Sequence, residues 1–310
     1  MEIFKISGGK LSEICHGGFA LEKEMQKLTE DNLQAIFGLE FVRTEYLLRN
    51  LRIDTLAFDK QTKSFVIIEY KRDQSMSVID QGYAYLALML NNKADFILEY
   101  NEEKKQSLNK QSVDWSQSRV LFLADSFTTY QRNAINFKDL PIELWEVRKY
   151  DNGTILYNQL KPLDAAASIA TVAKSETVKK VSAEVKKYSI EDHFKSDWKE
   201  SRGLFDILRE KIFELDSRFE EVATKQYIAY KIDRWNVFAI TSRKSKLRVD
   251  LSRTHPKDID DSKKIVEYDK NSMKFYGQHI SQFFVQSKSD IDYALYIMKQ
   301  VCSRFLNNKK

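Results

Sequence analysis

The stretch RIDTLAFDKQTKSFVIIEYKRDQ, residues 52–74, places charged side chains at the ends of two apolar, strand-like segments. Asp54 lies in the first segment, and Glu69 and Lys71 follow the apolar run FVII of the second. Because residues two apart in a strand project from the same face, Glu69 and Lys71 are predicted to point the same way. If the two segments pair as neighbouring strands, Asp54 reaches the same point of the sheet.

The predicted proximity of Asp54 and Glu69 requires a positive group, because two buried carboxylates repel each other. A divalent cation meets this need, and its predicted oxygen ligands are Asp54, Glu69 and the backbone carbonyl of Tyr70, a set that suits magnesium, manganese or calcium. With two cysteines and no CxxC motif, a cysteine-based zinc site is excluded. The cation would polarise a phosphate and lower the pKa of a bound water. Lys71 would orient that water or stabilise charge that develops on the phosphate.

These residues resemble the core motif of the PD-(D/E)xK nucleases. Ile53-Asp54 stands in place of Pro-Asp, and Glu69-Tyr70-Lys71 matches the ExK element. The resemblance implies a restriction-endonuclease-like α/β fold, in which helices flank a mixed sheet. It also implies hydrolysis of phosphodiester bonds that depends on Mg²⁺ (or Mn²⁺), with DNA as the expected substrate.

Residues outside this core extend the resemblance. Gln81 and Tyr85, in the helix predicted after the second strand, resemble the Q-x-x-x-Y motif of RecB-like nucleases and are expected to support catalysis. NucS-like and Mrr-like relatives often place an acidic residue of an upstream helix near the metal. Glu24 is preferred over Glu22 for this role because it lies nearer the predicted buried face, and Glu45 is a further candidate.

The hydrophobic pattern and turn residues predict two domains. Residues 1–161 are predicted as the nuclease-like domain, with helices at 21–37, at 78–92 and after Ser126, strands at 40–49, 51–58, 65–70, 94–100 and 119–124, and a hairpin around Asn152-Gly153. Residues 162–188, rich in Ala, Ser, Thr, Val and Lys, are predicted as a linker. Residues 189–310 are predicted as a smaller α+β domain. Its predicted elements are one or two helices within 189–215, helices at 260–268 and 289–306, and strands at 226–232, 235–241 and 246–252.

Basic charge is concentrated in the second half of the chain. Residues 1–160 carry 20 basic and 23 acidic side chains, whereas residues 161–310 carry 30 and 22, which suggests a polyanionic partner. The run TSRKSKLRVDLSR is predicted to bind nucleic-acid phosphates through Arg243, Lys244, Lys246 and Arg248. Trp235 and Tyr230 are predicted to stack on bases. The alternative is a solvated, lysine-rich surface.

The second half also resembles, more loosely, an uncharacterised C-terminal domain found in chains labelled "predicted transport protein". No run of roughly 18 apolar residues is present, so no transmembrane helix or membrane partner is expected. The few cysteines, and an N-terminus without a secretory signal, predict a cytoplasmic protein.

Three hypotheses about function follow. The first is a magnesium-dependent nuclease that acts on DNA. The second is a catalytically inactive nuclease-fold module that binds nucleic acid or protein, and the third is an interaction protein within a larger assembly. Endo- or exonucleolytic cleavage, DNA or RNA as substrate, and the oligomeric state, including a homodimer, stay open at this level.

Overall fold

The apolar run that precedes Glu69 forms a strand that is buried on both faces, as its continuous Val and Ile content predicts. A computed structural model of the protein describes residues 2–49, 51–71, 77–137, 139–162, 175–186 and 188–307. The chain divides into two units, residues 1–186 and 187–310. Each unit buries its own apolar residues in a core of its own.

The helices and strands of the first unit form a sheet with helices on both faces, and a separate hairpin. In chain order, its described elements are β1 (Phe4–Ser7), β2 (Lys10–Glu13), α1 (Glu22–Asp31), α2 (Leu33–Phe37), β3 (Glu40–Leu48), β4 (Leu51–Asp59), β5 (Ser64–Lys71), α3 (Val78–Asn91), α4 (Lys93–Lys104), β6 (Arg119–Ala124), α5 (Thr129–Ala134), β7 (Ile142–Lys149), β8 (Ile155–Leu160) and α6 (Glu176–Glu184). Strands β1 and β2 pair only with each other among the described strands. The other six strands follow the order β3-β4-β5-β6-β7-β8.

The six-stranded sheet is mixed. β6 runs parallel to both β5 and β7, and the other neighbouring strands are antiparallel. On β5, Val66, Ile68 and Tyr70 face a core shared with α1 and α2, and Phe65 and Ile67 face a core shared with α3 and α4. The predicted α/β fold with a mixed sheet flanked by helices is therefore confirmed.

Two predicted elements of this unit differ in the structure. The strand predicted at 94–100 is wrong, because these residues belong to helix α4. Phe96 and Tyr100 lie four positions apart, so one helix face buries both, and Phe96 packs edge-on against Tyr46. The helix predicted at 21–37 is interrupted at Asn32, where α1 ends and α2 begins.

The described part of the segment predicted as a linker includes helix α6. Val181 and Val185 are buried in the same core as α3. The hydroxyls of Ser182 and Tyr83 lie 3.3 Å apart. Residues 175–186 therefore belong to the packed structure of the first unit.

The second unit is an antiparallel sheet packed against two long helices. Its described elements are α7 (Lys199–Leu215), β9 (Glu220–Ala223), β10 (Ile228–Ile232), β11 (Trp235–Ser242), β12 (Leu247–Ser252), β13 (Glu267–Tyr268), α8 (Ser272–Tyr276), β14 (Ile280–Val285) and α9 (Ile291–Asn307). The strand order is β13-β14-β12-β11-β10-β9. Leu208 and Ile212 of α7 and Ile297 and Val301 of α9 line its core. The predicted second domain is confirmed as a β-rich unit.

One predicted helix of the second unit is wrong. Residues 260–268 form a loop that ends in the short strand β13, and side-chain hydrogen bonds shape this loop. Asp261 accepts hydrogen bonds from the backbone N–H of Val266 at 2.8 Å and from the hydroxyl of Tyr293 at 2.9 Å. Among the residues that the structure describes, no helix combines the length and apolar character that crossing a membrane requires.

Candidate active site

Strands β4 and β5 separate at the residues that the sequence singles out. Their antiparallel register runs from the pair Asp59–Ser64 to the pair Thr55–Ile68 and goes no further. Beyond that point β4 continues to pair with β3, and β5 continues to pair with β6. Asp54 and Glu69 are the next two opposing residues, so they stand where the strands part. We call this place, formed by Asp54 and residues 69–71, the β4–β5 fork.

Side chains replace the missing backbone pairing at the fork. The backbone N–H of Asp54 donates to Oε1 of Glu69 at 3.2 Å, and the backbone N–H of Tyr70 donates to Oδ2 of Asp54 at 3.1 Å. Asp54 is 8% exposed and Glu69 is 2% exposed. Because buried N–H groups require acceptors, this exchange keeps both carboxyls at the fork.

Lys71 and helix α3 complete the surroundings of Glu69. Nζ of Lys71 lies 3.4 Å from Oε2 of Glu69, which is the same-face geometry predicted for residues two apart. Nε2 of Gln81 contacts the same oxygen at 3.3 Å and the hydroxyl of Tyr85, one helical turn further, at 3.2 Å. The Tyr85 hydroxyl donates to the carbonyl of Arg52 on β4 at 3.1 Å. The structure thus brings Asp54, Glu69, Lys71, Gln81 and Tyr85 together.

The fork is a poor environment for two negative charges. The pKa of Glu69 is raised to about 7, chiefly by burial and also by the neighbouring Asp54 carboxylate, while the charge of Lys71 opposes the rise. Burial also raises the pKa of Asp54, and the hydrogen bond from Tyr70 N–H and the charge of Lys71 oppose that rise. One lysine therefore does not compensate for the desolvation of both acids.

The oxygen atoms at the fork suit the binding of a hydrated divalent cation. A residue's N–H and C=O point to the same side of a strand, so the carbonyl of Tyr70, whose N–H bonds to Asp54, also faces the fork. Oε1 of Gln81 is buried and has no hydrogen-bond donor among the described residues. Magnesium typically binds through one or two carboxylates and retains several waters, which can donate hydrogen bonds. Within the described residues, no group of three or more His, Cys, Asp or Glu side chains could hold a metal.

The structure does not join Glu24 to the fork carboxyls. Glu24 forms an ion pair with Lys149 and accepts a hydrogen bond from the N–H of Ala20 at 3.3 Å. The hydrogen bond from Lys149 lowers the pKa of Glu24. Gln26 of α1 reaches the fork instead, and its Nε2 donates to the carbonyl of Asp54 at 3.0 Å. Gln26 follows the buried Met25, and its own burial was not evident from its polar side chain.

Glu45 lies on the strand next to Asp54. Its negative charge contributes to the raised pKa of Asp54, and its carboxylate lies 3.1 Å from Nε of Arg52. Its φ of 48° places its backbone in the left-handed region, which is uncommon for a residue with a side chain. Of the candidate acids outside the motif, Glu45 is the one whose charge acts on the fork through a described interaction.

The predicted phosphate-binding residues of the second unit occupy different environments. Arg248 donates to Asp250 at 3.0 Å and to Thr241 at 3.3 Å. Lys244 is exposed and lies 3.9 Å from Asp197. Arg248 is therefore engaged within the fold, while Lys244 faces solvent.

The aromatic side chains near this basic run are also engaged. Lys246 and Arg243 lie over the ring of Phe284, with charge-to-centroid distances of 4.1 Å and 5.9 Å. The prediction that Tyr230 stacks on bases is wrong, because its side chain is fully buried and its hydroxyl donates to Glu221 at 2.7 Å.

Three solved structures share weak likeness with the chain. A repair endonuclease from Pyrococcus abyssi is 18% identical, with a TM-score of 0.26, over 43% of this chain and 49% of that one. The EndoMS-dsDNA2 complex is 18% identical, with a TM-score of 0.24, over 43% and 48%. SfsA of Pyrococcus furiosus, in complex with Ca²⁺, is 13% identical, with a TM-score of 0.26, over 52% and 77%. The chain spans about half the length of the first two, and with TM-scores this low they assign it no activity.

Comparison of sequences assigns the chain to a family. Residues 190–298 match the family described as Domain of unknown function (DUF5655), which confirms the predicted uncharacterised C-terminal domain. A Haemophilus influenzae protein described as "Uncharacterized protein" is 39% identical over 301 residues, which are 97% of this chain and 99% of that protein. The chain therefore belongs to the same family as this Haemophilus influenzae protein.

Proposed function

We propose that the first unit is a divalent-cation-dependent nuclease that hydrolyses phosphodiester bonds, with DNA as its substrate. The observation that carries this proposal is the β4–β5 fork, where Asp54 and Glu69 are buried beside one another and next to the half-buried Lys71. Burying two acids costs free energy of folding, so a fold that retains both suggests a functional role for them. Raised pKa values in a cluster of this kind are typical of functional sites. The basic excess of the second half favours a polyanionic substrate.

The chain's own residues divide the work at the fork. Asp54, Glu69 and the Tyr70 carbonyl would hold Mg²⁺ or Mn²⁺. Such a cation, when bound, polarises a phosphate and acidifies a bound water. Because the pKa of Glu69 is raised to about 7, the carboxyl must release its proton when it becomes a ligand.

Three further side chains support the fork carboxyls. Lys71 lies beside Glu69 and places a positive charge where charge would develop on the phosphate. Gln81 orients Glu69 from α3, and Tyr85 ties the same helix to β4 through the carbonyl of Arg52. Helix α3 thereby positions Glu69 for ligand binding and is a positioning element in the proposed reaction.

The substitution Asp54→Asn tests this proposal. The amide oxygen can still accept the hydrogen bond from Tyr70 N–H, so the fold is preserved while the charge is lost. We expect cleavage of linear, branched or single-stranded DNA with Mg²⁺ or Mn²⁺ to fall by about 100-fold or more, the size typical of lost electrostatic stabilisation. Glu13→Gln, which removes an exposed carboxylate from the same unit, is the matched control.

The outcomes separate the hypotheses. Cleavage by Asp54→Asn at the parent's rate would refute the assignment of the fork as the active site. If the parent protein cleaves none of these DNAs, titration calorimetry with Mn²⁺ decides between a different substrate and an inactive binding module. Failure to bind Mn²⁺ at millimolar concentration would favour the inactive module.

A further inference from the structure

The second unit contains a cavity of about 270 Å³ at one end of the β11–β12 hairpin. Trp235 at the start of β11, Arg253 directly after β12, and Arg304 and Phe305 of α9 line it. Small-molecule sites begin at roughly 300 Å³, so this volume suits a compact group. Every residue that lines the cavity belongs to the second unit.

Arg253 is the unusual member of this lining. Its guanidinium lies 4.1 Å from the ring centroid of Trp235 and 5.8 Å from that of Phe305. Its Nη1 atom is buried and finds no hydrogen-bond acceptor among the described residues. Arg304, by contrast, forms an ion pair with Asp258 at 3.3 Å. Because a buried guanidinium donor normally has an acceptor, Arg253 is equipped for an anion that the described side chains do not supply.

The electrostatic surroundings of Arg253 also favour the binding of an anion. Burial, with a further contribution from the positive charge of Arg234, lowers the pKa of Arg253 to about 10. Among the described groups, no carboxylate acts on Arg253 strongly enough to oppose these two effects. A bound anion would relieve both the desolvation and the repulsion.

The backbone at this position is also held in an uncommon state. Arg253 has a φ of 52°, in the left-handed region that is unfavourable for a residue with a side chain. Strand β12 pairs with β14 up to Ser252, so the strained residue directly follows a well-anchored strand. Strain of this kind, maintained by its surroundings, is typical of ligand sites.

We propose that this cavity binds a phosphate group through Arg253, with Trp235 and Phe305 contacting the nucleoside attached to it. A phosphate monoester carries a charge of about −1.5 to −2 at neutral pH and three acceptor oxygens, which match the planar donors of a guanidinium. The aromatic walls suit a base or sugar more than a peptide carboxylate. The phosphate could belong to a mononucleotide or to the 5′ end of an oligonucleotide.

The binding experiment uses the full chain in EDTA, so that cleavage at the fork plays no part. The probes are inorganic phosphate, a 5′-mononucleotide, a short 5′-phosphorylated oligonucleotide and the same oligonucleotide with a 5′-hydroxyl. Binding is followed by calorimetry and by tryptophan fluorescence, with Trp235→Phe to identify the signal. Arg253→Gln removes the guanidinium, Arg253→Lys keeps its charge, and Lys225→Gln removes an exposed positive charge of the same unit as the control.

We expect the phosphorylated probes to bind. Arg253→Gln should lower their affinity about 10-fold or more, and Lys225→Gln should leave their affinity unchanged. Arg253→Lys should recover only part of the loss, because an ammonium lacks the planar donor pair. Equal affinity for the two phosphorylated nucleotides indicates a small-molecule site, and tighter oligonucleotide binding indicates a DNA end. Binding that ignores the 5′-phosphate, or that survives Arg253→Gln in a folded protein, would overturn the proposal, as would no binding of any probe at millimolar concentration.

Discussion

At the scale of single residues, Asp54 and Glu69 each accept a hydrogen bond from the backbone of the opposite strand. A carboxylate thus takes the place of the carbonyl that a regular ladder would supply. This exchange makes each acid part of the fold as well as of the proposed site. The same burial that orients Glu69 makes its charged form unfavourable.

Glu69→Gln should therefore stabilise the protein at high pH. The folded-state pKa of Glu69, about 7, lies above its ordinary value of 4.5, so the folded protein binds the proton more tightly. The free energy of unfolding then falls as the pH rises from about 4.5 to about 7. Above about pH 7 we expect Glu69→Gln to raise the free energy of unfolding by up to about 3 kcal/mol.

Chemical denaturation at several pH values measures this effect, with Glu13→Gln to correct for the loss of one negative charge. The gain should shrink towards zero as the pH approaches about 4, where the glutamate is neutral in both states. A loss of stability above pH 7, or a gain that does not depend on pH, would contradict the electrostatic account of the fork.

At the scale of elements, α3 carries Gln81 and Tyr85, and its distance from the sheet depends on Gly82. A Cβ atom at Gly82 would come within 2.5 Å of Cδ1 and 2.8 Å of Cγ1 of Ile142 on β7. Ile142 is itself buried, so little room exists for it to move. The glycine allows the helix to approach the strands closely enough for Gln81 to reach Glu69.

Gly82→Ala should push α3 away from the sheet. Overpacking costs about 1–3 kcal/mol, and the better helix propensity of alanine offsets about 1 kcal/mol of it. We expect a net loss of stability, measured by denaturation, together with slower DNA cleavage. Adding Ile142→Val removes the clashing Cδ1 atom and should restore both quantities in part, and a double variant no better than Gly82→Ala would show that the contact is not the cause.

Helix α6 is an element whose role depends on packing. Its Val181 is 2% exposed against the core, whereas the neighbouring Lys180 is exposed. Val181→Asp should destabilise the first unit by about 3 kcal/mol or more, because it buries an unpaired charge. Lys180→Asp should change stability by about 0.5 kcal/mol at most. Similar effects of the two substitutions in denaturation experiments would mean that α6 is not part of the core.

At the scale of the whole molecule, the two units differ in charge and in the chemistry of their sites. The first unit buries carboxylates, and the second unit carries the basic excess and the half-buried Arg253, whose Nη1 atom is buried. If the second unit binds DNA, its exposed cations should set the salt dependence. Arg243 and Lys244 are exposed, and Lys246 is half-exposed over the ring of Phe284. None of the three forms the ion pair with Asp250 that engages Arg248.

Replacing Arg243, Lys244 and Lys246 together with alanine should weaken DNA binding and make it less sensitive to salt. Each lost phosphate contact reduces the slope of log K against log salt concentration by about 0.9, so the slope should fall by roughly 2–3. The measurement is fluorescence anisotropy over a series of salt concentrations without divalent cations. The matched control is a triple alanine variant of three exposed lysines of the same unit, Lys257, Lys264 and Lys270. An equal loss in both variants would show that only net charge matters.

Sequence alone determined the features that depend on neighbours along the chain. The continuous apolar run before Glu69 specified a buried strand, and the two-residue strand repeat placed Lys71 beside Glu69. The turn at Asn152-Gly153 specified the hairpin of β7 and β8. These patterns repeat over two to four residues, so local chemistry is sufficient to specify them.

Only the tertiary structure decided the features that depend on long-range packing. A short amphipathic segment suits a strand or a helix, and residues 94–100 became helical because Phe96 and Tyr100 pack onto the sheet together. The rotation of α1 against β4 decides that Gln26 reaches the fork and that the predicted Glu24 pairs with Lys149 instead. The fork itself arises because, beyond Thr55 and Ile68, β4 pairs only with β3 and β5 pairs only with β6 among the described strands. This depends on the register of four strands, which the sequence of any one strand does not specify.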